Sequence, residues 1–233
     1  MKILVADDDR DLVDLIRYSF HREGYSVVTS FDGEMTLRVF QLENPDLVVL
    51  DMVMPKRSGL EVLQEIREKT DVPILVLSAQ REEDQIVNAL YKGADDYMIK
   101  PFGQRELRAR AKALIRRTLK DTNRRTMQGA PLQMGEITLH PQTREVFGNN
   151  KKIHLTRTEF ALLMHLMVNH DVVVTFDDLL SNVWGYDGEQ NYQVVKVTIS
   201  RLRRKLADNP SAPRYIVNVP GTGYIFRSFN AES

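Results

Sequence analysis

The sequence contains no cysteine. That excludes a disulfide framework, a thiolate metal site and a cysteine nucleophile. No apolar run approaches the ~18 residues that a membrane-spanning helix needs. The opening residues turn acidic at Asp7 and Asp8, too early for the apolar core of a signal peptide, so the plain reading is a cytoplasmic chain. Aromatic residues are scarce at 8%, with Trp184 the single tryptophan, yet apolar residues reach 42% of the 233. That is enough for packed cores and excludes wholesale disorder. A net charge is also missing: 32 basic residues balance 32 acidic ones.

The balance hides an asymmetry. Residues 1–117 carry 18 Lys and Arg against 21 Asp and Glu, whereas residues 118–233 carry 14 against 11. Between Gln190 and Arg227 there are seven basic residues and one acid, Asp208. A charge split by halves points to an electrostatic partner for the second half only, with nucleic acid the first candidate and a merely solvated basic helix the plain alternative.

The two halves are built differently. In the first, short apolar runs (Ile3–Ala6, Val27-Val28, Leu47–Leu50, Ile74–Leu77, Tyr97–Ile99) alternate with amphipathic stretches at about 10–23, 33–43, 59–68, 83–92 and 104–117. Unbroken apolar runs suit strands buried on both faces, and five β–α units predict a doubly wound parallel α/β sheet over residues 1–117. Residues 118–131 lose the apolar period and read as a linker. Residues 132–229 open with short alternating strands around a Gly148-Asn149-Asn150 turn. A capping box, Thr156 with Glu159, then starts an apolar helix, followed by helices at about 176–184 and 191–206 and a hairpin around Pro220–Gly223.

In a doubly wound sheet, sites form at the carboxyl ends of the strands. The first strand ends in Asp7-Asp8-Asp9, the third in Asp51, the fourth in Ser78 and the fifth in Lys100. In the flavodoxin-like order 2-1-3-4-5 the first and third strands are neighbours, so Asp7, Asp8 and Asp51 crowd together. Such carboxylates repel unless a cation neutralises them, and hard, oxygen-liganded Mg²⁺ fits. A lysine and a hydroxyl opposite them would clamp an anion. The set describes a phosphoryl-accepting aspartate. Asp9 and Asp11 read as a helix cap and first-turn charge rather than ligands. A phosphatase with an aspartyl nucleophile on the first strand would need a cap for which the chain has no room.

At these residues the first half resembles the receiver domain of two-component response regulators. The matching residues are Asp7-Asp8, Asp51 to Pro55, Ser58-Gly59, Ser78-Ala79 and Gly93 to Phe102. The resemblance implies that Asp51 is the phosphoacceptor and that Asp8, Asp51 and the Val53 carbonyl ligate Mg²⁺, with Asp7 through water. It implies that Ser78 and Lys100 bind phosphoryl oxygens, that Tyr97 turns inward on activation, and that Lys100-Pro101 is cis.

The 191–206 helix carries the second signal. Val195, Ile199, Leu202 and Leu206 form one apolar stripe. At 100° per residue the opposite face holds Gln193, Val197, Ser200, Arg201 and Arg204, flanked by Lys196, Arg203 and Lys205. That pattern reads as a recognition helix in a major groove. Arg201 and Arg204 would face guanine edges, Val197 a thymine methyl, and Lys196, Arg203 and Lys205 phosphates. With Leu155 to Phe160, Val183-Trp184-Gly185, Val197 to Leu206 and Gly221 to Tyr224, the second half resembles the winged helix-turn-helix effector of the OmpR/PhoB family. The resemblance adds Thr198 on the helix and Thr222 on the wing to the DNA contacts.

The implied protein is not an enzyme in the usual sense but a transcriptional response regulator. A sensor histidine kinase phosphorylates it, and it then forms a homodimer on double-stranded DNA with RNA polymerase as a further partner. The implied dimer face includes Ile86, Asp95, Asp96, Glu106, Arg110 and Arg117. Two positions depart from the family pattern: Ile86 stands where a basic residue usually pairs with the acid at Glu106, and Pro220 where an arginine commonly precedes Gly-Thr-Gly. The first gives weight to an alternative, a phosphorylation-independent DNA-binding regulator whose receiver is only a dimerisation platform.

Overall fold

The computed structural model describes residues 1–80, 82–123, 130–185 and 192–228, with residues 117–123 as backbone only. Two compact units divide the chain, Met1–Ile115 and Arg116–Ser233. Among the described residues no helix is long and apolar enough to cross a membrane.

The first unit alternates β1 (Lys2–Ala6), α1 (Arg10–His21), β2 (Ser26–Ser30), α2 (Gly33–Glu43), β3 (Leu47–Asp51), α3 (Gly59–Lys69), β4 (Ile74–Ser78), α4 (Glu83–Lys92), β5 (Asp96–Ile99) and α5 (Gln104–Asn123). All five strands are parallel, in the order β2-β1-β3-β4-β5. The three unbroken apolar runs occupy the centre: β3 and β4 are buried along their whole length, and β1 nearly so. The edge strand β2 is only half-buried. Composition accounts for which strands are central, because an apolar run covered on both faces belongs inside the sheet.

Local signals set the helix starts. Asp9 caps α1 by accepting the Leu12 N–H at 3.1 Å, Asp32 caps α2 through the Met35 N–H at 2.8 Å, and Ser58 with Glu61 forms a capping box on α3. The helix expected to stop near residue 117 instead continues to Asn123. Residues 116–123 contain neither Gly nor Pro, so their backbone stays helical although their apolar period has ended. Residues 124–129 of the expected linker lie outside the described residues.

The second unit opens with β6 (Leu132–Met134), β7 (Ile137–His140), β8 (Glu145–Gly148) and β9 (Lys151–Ile153), an antiparallel sheet in sequence order. Asn149 and Asn150, at φ 50° and 61°, make the two-residue turn between β8 and β9. Next come α6 (Arg157–Val168), β10 (Val174–Thr175) and α7 (Phe176–Leu179). A π-helical turn, Leu180–Trp184, extends α7, so the expected helix is present but widens midway. Gly185 closes it at φ 76° by donating to the Leu180 carbonyl at 2.7 Å. After α8 (Tyr192–Leu206), β11 (Ile216–Val219) and β12 (Gly223–Phe226) form the hairpin, and β12 also pairs with β10. Trp184, fully buried, belongs to this unit's core.

Candidate functional site

The carboxyl ends of β1, β3 and β5 bring together residues separated by more than ninety positions. Asp7 and Asp51 are buried, Asp8 is exposed, and one carboxylate oxygen from each lies within 4.8 Å of the others. The Lys100 ammonium reaches this group from the end of β5, 2.6 Å from Asp7 Oδ2 and 2.5 Å from Asp51 Oδ1. The remaining carboxylate oxygens are oriented locally: Asp7 Oδ1 accepts the Asp9 N–H at 3.1 Å, and Asp51 Oδ2 accepts the Val53 N–H at 2.6 Å. Burial pushes the Asp51 carboxyl above its usual range, with Lys100 pulling against it. Burial works against the Lys100 charge, but Asp51 and Asp7 outweigh it and raise the ammonium above its ordinary value.

Three carboxylates thus gather around one ammonium, an excess of negative charge at a partly buried sheet edge. A hard divalent cation with oxygen ligands fits this donor set.

The loop after β3 lies close against the phosphoacceptor candidate because of Gly59. A Cβ there would fall 2.0 Å from the Asp51 carbonyl oxygen, so only glycine lets α3 begin so near. Sequence reasoning missed a second close approach. A Cβ on Gly33 would sit 2.3 Å from the Arg57 carbonyl oxygen, and Lys56 bridges to Asp32 at 2.8 Å. These contacts tie the β3–α3 loop to the start of α2, and no pattern in the chain marks them.

Ser78 is fully buried, its hydroxyl accepting the Gln80 N–H at 3.1 Å. Tyr97, expected to turn inward on activation, is already inward. It is 3% exposed, and its hydroxyl donates to the Gln80 carbonyl at 3.0 Å. Burial raises the phenol above its ordinary range, while the Ser78 hydroxyl pulls it down. The Lys100-Pro101 bond is cis.

The charges expected at a dimer face are largely engaged within the chain. Asp95 is buried, pairs with Arg67 and accepts the Ile74 N–H at 2.9 Å. Asp96, also buried, pairs with Arg110 at 3.0 Å, and Arg110 bonds Glu106 at 2.9 Å. They are therefore not an open set of surface charges: a carboxylate this deeply buried requires a partner in its own fold. Ile86 is half-buried on α4. The Arg117 side chain lies outside the described residues.

On α8 the structure corrects the expected face. Val195, Ile199, Leu202 and Leu206 face the core as expected, but Val197, Thr198 and Arg201 are buried too. Thr198 donates its hydroxyl to the Val194 carbonyl at 2.6 Å. Arg201 pairs with the buried Glu159 at 2.8 Å, and Lys205 reaches the other oxygen of that carboxylate at 2.6 Å. Arg203 donates to the Ile216 carbonyl at 2.7 Å. The 100° projection failed because α8 packs against both α6 and α7, and Arg203 is drawn to the hairpin, which leaves a narrower open face. That face carries Lys196 and Arg204, exposed, with Gln193 and Ser200 half-buried beside them.

The sequence signal for the Glu159 role was a carboxylate three positions past a cap in an otherwise apolar helix. Burial and two cationic partners hold it in place. Burial alone would raise its pKa, but Arg201 and Lys205 outweigh that and hold the carboxyl below the usual range. Asp208, the one acid in the basic stretch, is also structural. It accepts the backbone N–H groups of Arg214, Tyr215 and Ile216, joining the end of α8 to the hairpin. At the hairpin tip Thr222 is exposed, and Gly221 sits at φ 73°. Gly223 instead faces inward, where a Cβ would fall 2.0 Å from the Val174 carbonyl oxygen.

Known proteins share both halves. Residues 3–112 match the family described as response regulator receiver domain, and residues 150–226 the family described as transcriptional regulatory protein, C terminal. The chain is 43% identical over 230 residues to the probable transcriptional regulator ycf27 of Cyanophora paradoxa, covering 97% of this chain and 96% of that one. It is 41% identical over 229 residues to the alkaline phosphatase synthesis transcriptional regulatory protein PhoP of Bacillus subtilis (strain 168), covering 96% and 95%. Among solved structures it is similar to the response regulator DrrB, an OmpR/PhoB homolog of Thermotoga maritima. The identity is 30% and the TM-score 0.52, with 97% and 99% of the two chains covered.

Proposed function

The chain belongs to the OmpR/PhoB family of response regulators, DNA-binding regulators of transcription, and from that premise we propose that it is switched by phosphorylation of Asp51. The donor is the phosphohistidine of a sensor histidine kinase. The observation that carries the reading is the Lys100 ammonium, held 2.6 Å from Asp7 and 2.5 Å from Asp51 at the mouth of the sheet.

In the transfer, an Asp51 carboxylate oxygen bonds to phosphorus as the phosphorus–nitrogen bond of the donor breaks and its electron pair returns to the imidazole. Asp7, Asp8, Asp51 and the Val53 carbonyl would hold Mg²⁺, which supplies positive charge beside the phosphoryl oxygens. Lys100 exchanges its contact with Asp51 for one with a phosphoryl oxygen. Ser78 offers its hydroxyl to another, and the inward Tyr97 closes the space behind it. The modified chain pairs with a second copy through the face formed by α4, β5 and α5, and the two winged helices take paired half-sites on DNA. RNA polymerase is the partner downstream.

On each half-site the open face of α8 enters the major groove with Gln193, Lys196, Ser200 and Arg204, and Thr222 lies at the backbone beside it. The test is chemical. Incubation with a small acyl phosphate and Mg²⁺ adds one phosphoryl group per chain, and Asp51→Asn takes none. Equal labelling of that variant overturns the assignment.

A further inference from the structure

Helix α8 carries five cations within ten residues: Lys196, Arg201, Arg203, Arg204 and Lys205. Three of them are turned to internal work. Arg201 has only 5% of its side chain exposed and lies against Glu159 Oε1, while Lys205 lies against Oε2. Arg203 donates to the Ile216 carbonyl, with its guanidinium carbon 5.6 Å from the centre of the Tyr224 ring. Glu159 itself has no exposed surface, and its Oε2 also accepts the Thr156 N–H at 2.8 Å. One buried carboxylate on α6 thus holds two of the five cations of α8.

We infer that Glu159 is a specificity-determining residue: by holding Lys205 inward beside the enclosed Arg201, it limits the cations that α8 presents to DNA phosphates and so suppresses binding to unrelated sequences. The physical argument concerns counterions. Non-specific affinity for DNA comes almost wholly from cations that neutralise phosphates and release bound salt ions, each steepening the dependence of log K on log salt by about 0.9. A cation paired inside the protein releases none. Lys205 is the sensitive member, because 30% of its side chain is exposed and its flexible stem lets the ammonium swing outward once Glu159 is neutral. Arg201 is enclosed and stays where packing holds it. Glu159 touches no DNA and acts through its partners.

This rests on the proposal that the open face of α8 contacts DNA, and Arg204 serves as the control for it. Binding of the full-length protein to a random-sequence duplex is measured across a salt series, alongside a site selected from random DNA. Arg204→Ala makes the slope shallower by about one phosphate equivalent. Lys205→Met leaves the slope unchanged, because that cation was already withheld. Glu159→Gln, which keeps an acceptor for the Thr156 N–H, steepens the slope by about one equivalent and lowers the ratio of selected-site to random-site affinity. A fold lesion alone would weaken both affinities without steepening the slope. A shallower slope for Lys205→Met, or an unchanged or shallower one for folded Glu159→Gln, overturns the inference. Should Glu159→Gln fail to fold, the Lys205→Met result decides. A flat response to Arg204→Ala removes the DNA-facing role of α8, and the inference falls with it.

Discussion

Two buried carboxylates, Asp51 and Glu159, show how the same residue type is put to opposite uses. Asp51 shares one ammonium with Asp7 and carries an adjacent exposed acid, so its surroundings are short of positive charge. Glu159 faces two cations and accepts one backbone N–H, so its surroundings favour the charged form. A paired buried carboxylate stabilises the fold, and removing its charge breaks both of its ion pairs. Glu159→Gln should destabilise the second unit by ~3–5 kcal/mol at neutral pH. Because Arg201 and Lys205 hold the folded pKa below the usual carboxylate range, against the effect of burial, this contribution is complete above the unfolded value of about 4.3. It is lost as pH falls through the lower folded value. Urea unfolding of wild type and variant over that range should show a stability gap that narrows with acidification. A gap independent of pH would mean that the ion pairs contribute nothing.

The hairpin of β11 and β12 is joined to α8 through Asp208 and Arg203, so under the proposed function the two elements meet DNA together. Its tip is uncharged. Pro220 and Gly221 are exposed, and the nearest cations along the chain are Arg227, exposed, and Arg214, paired with Glu136 at 2.8 Å. Pro220 also lacks a donor N–H. A narrow, A·T-rich minor groove attracts an inserted arginine through its enhanced negative potential, and this wing has none at its tip. Pro220→Arg should therefore raise affinity and sharpen preference for A·T pairs beside the half-site, while wild type draws its specificity mainly from α8. Site selection with the two proteins measures this. An arginine variant that binds no tighter means that the wing never enters the groove.

For the whole molecule, the proposed switch depends on how phosphorylation biases pairing of two copies. In the proposed dimer Ile86 offers no cation to Glu106 of the second copy, and Asp96, Arg110 and Glu106 already form a network within one chain. An exposed ion pair contributes only ~0–1 kcal/mol, and a half-buried isoleucine recovers part of that through its apolar area. Dimerisation should therefore still tighten when Asp51 is phosphorylated or carries a phosphoryl mimic. Sedimentation with and without the mimic measures it. An unchanged monomer–dimer balance would favour a receiver that serves only as a platform.

The central strands and the polar residues at their ends were legible in the chain because both depend on local signals, and the flavodoxin-like order then brought the carboxylates together. Unbroken apolar runs select central strands, polar residues at their carboxyl ends mark the pocket, and Asp9, Ser58 and Thr156 announce helix starts within a few residues. The open face of α8 was not legible. Periodicity alone identified the stripe of Val195, Ile199, Leu202 and Leu206, but Val197 and Arg201 are buried as well, in a unit where α6 and α7 both pack against α8. The partner of Arg201 lies forty-two positions away on another helix. The sequence by itself determined the order of the elements and which strand ends carry the carboxylates, because those follow from composition and nearest neighbours. Only tertiary packing decided which cations of α8 face outward, because a charged side chain takes its role from the carboxylates and carbonyls that the fold sets beside it.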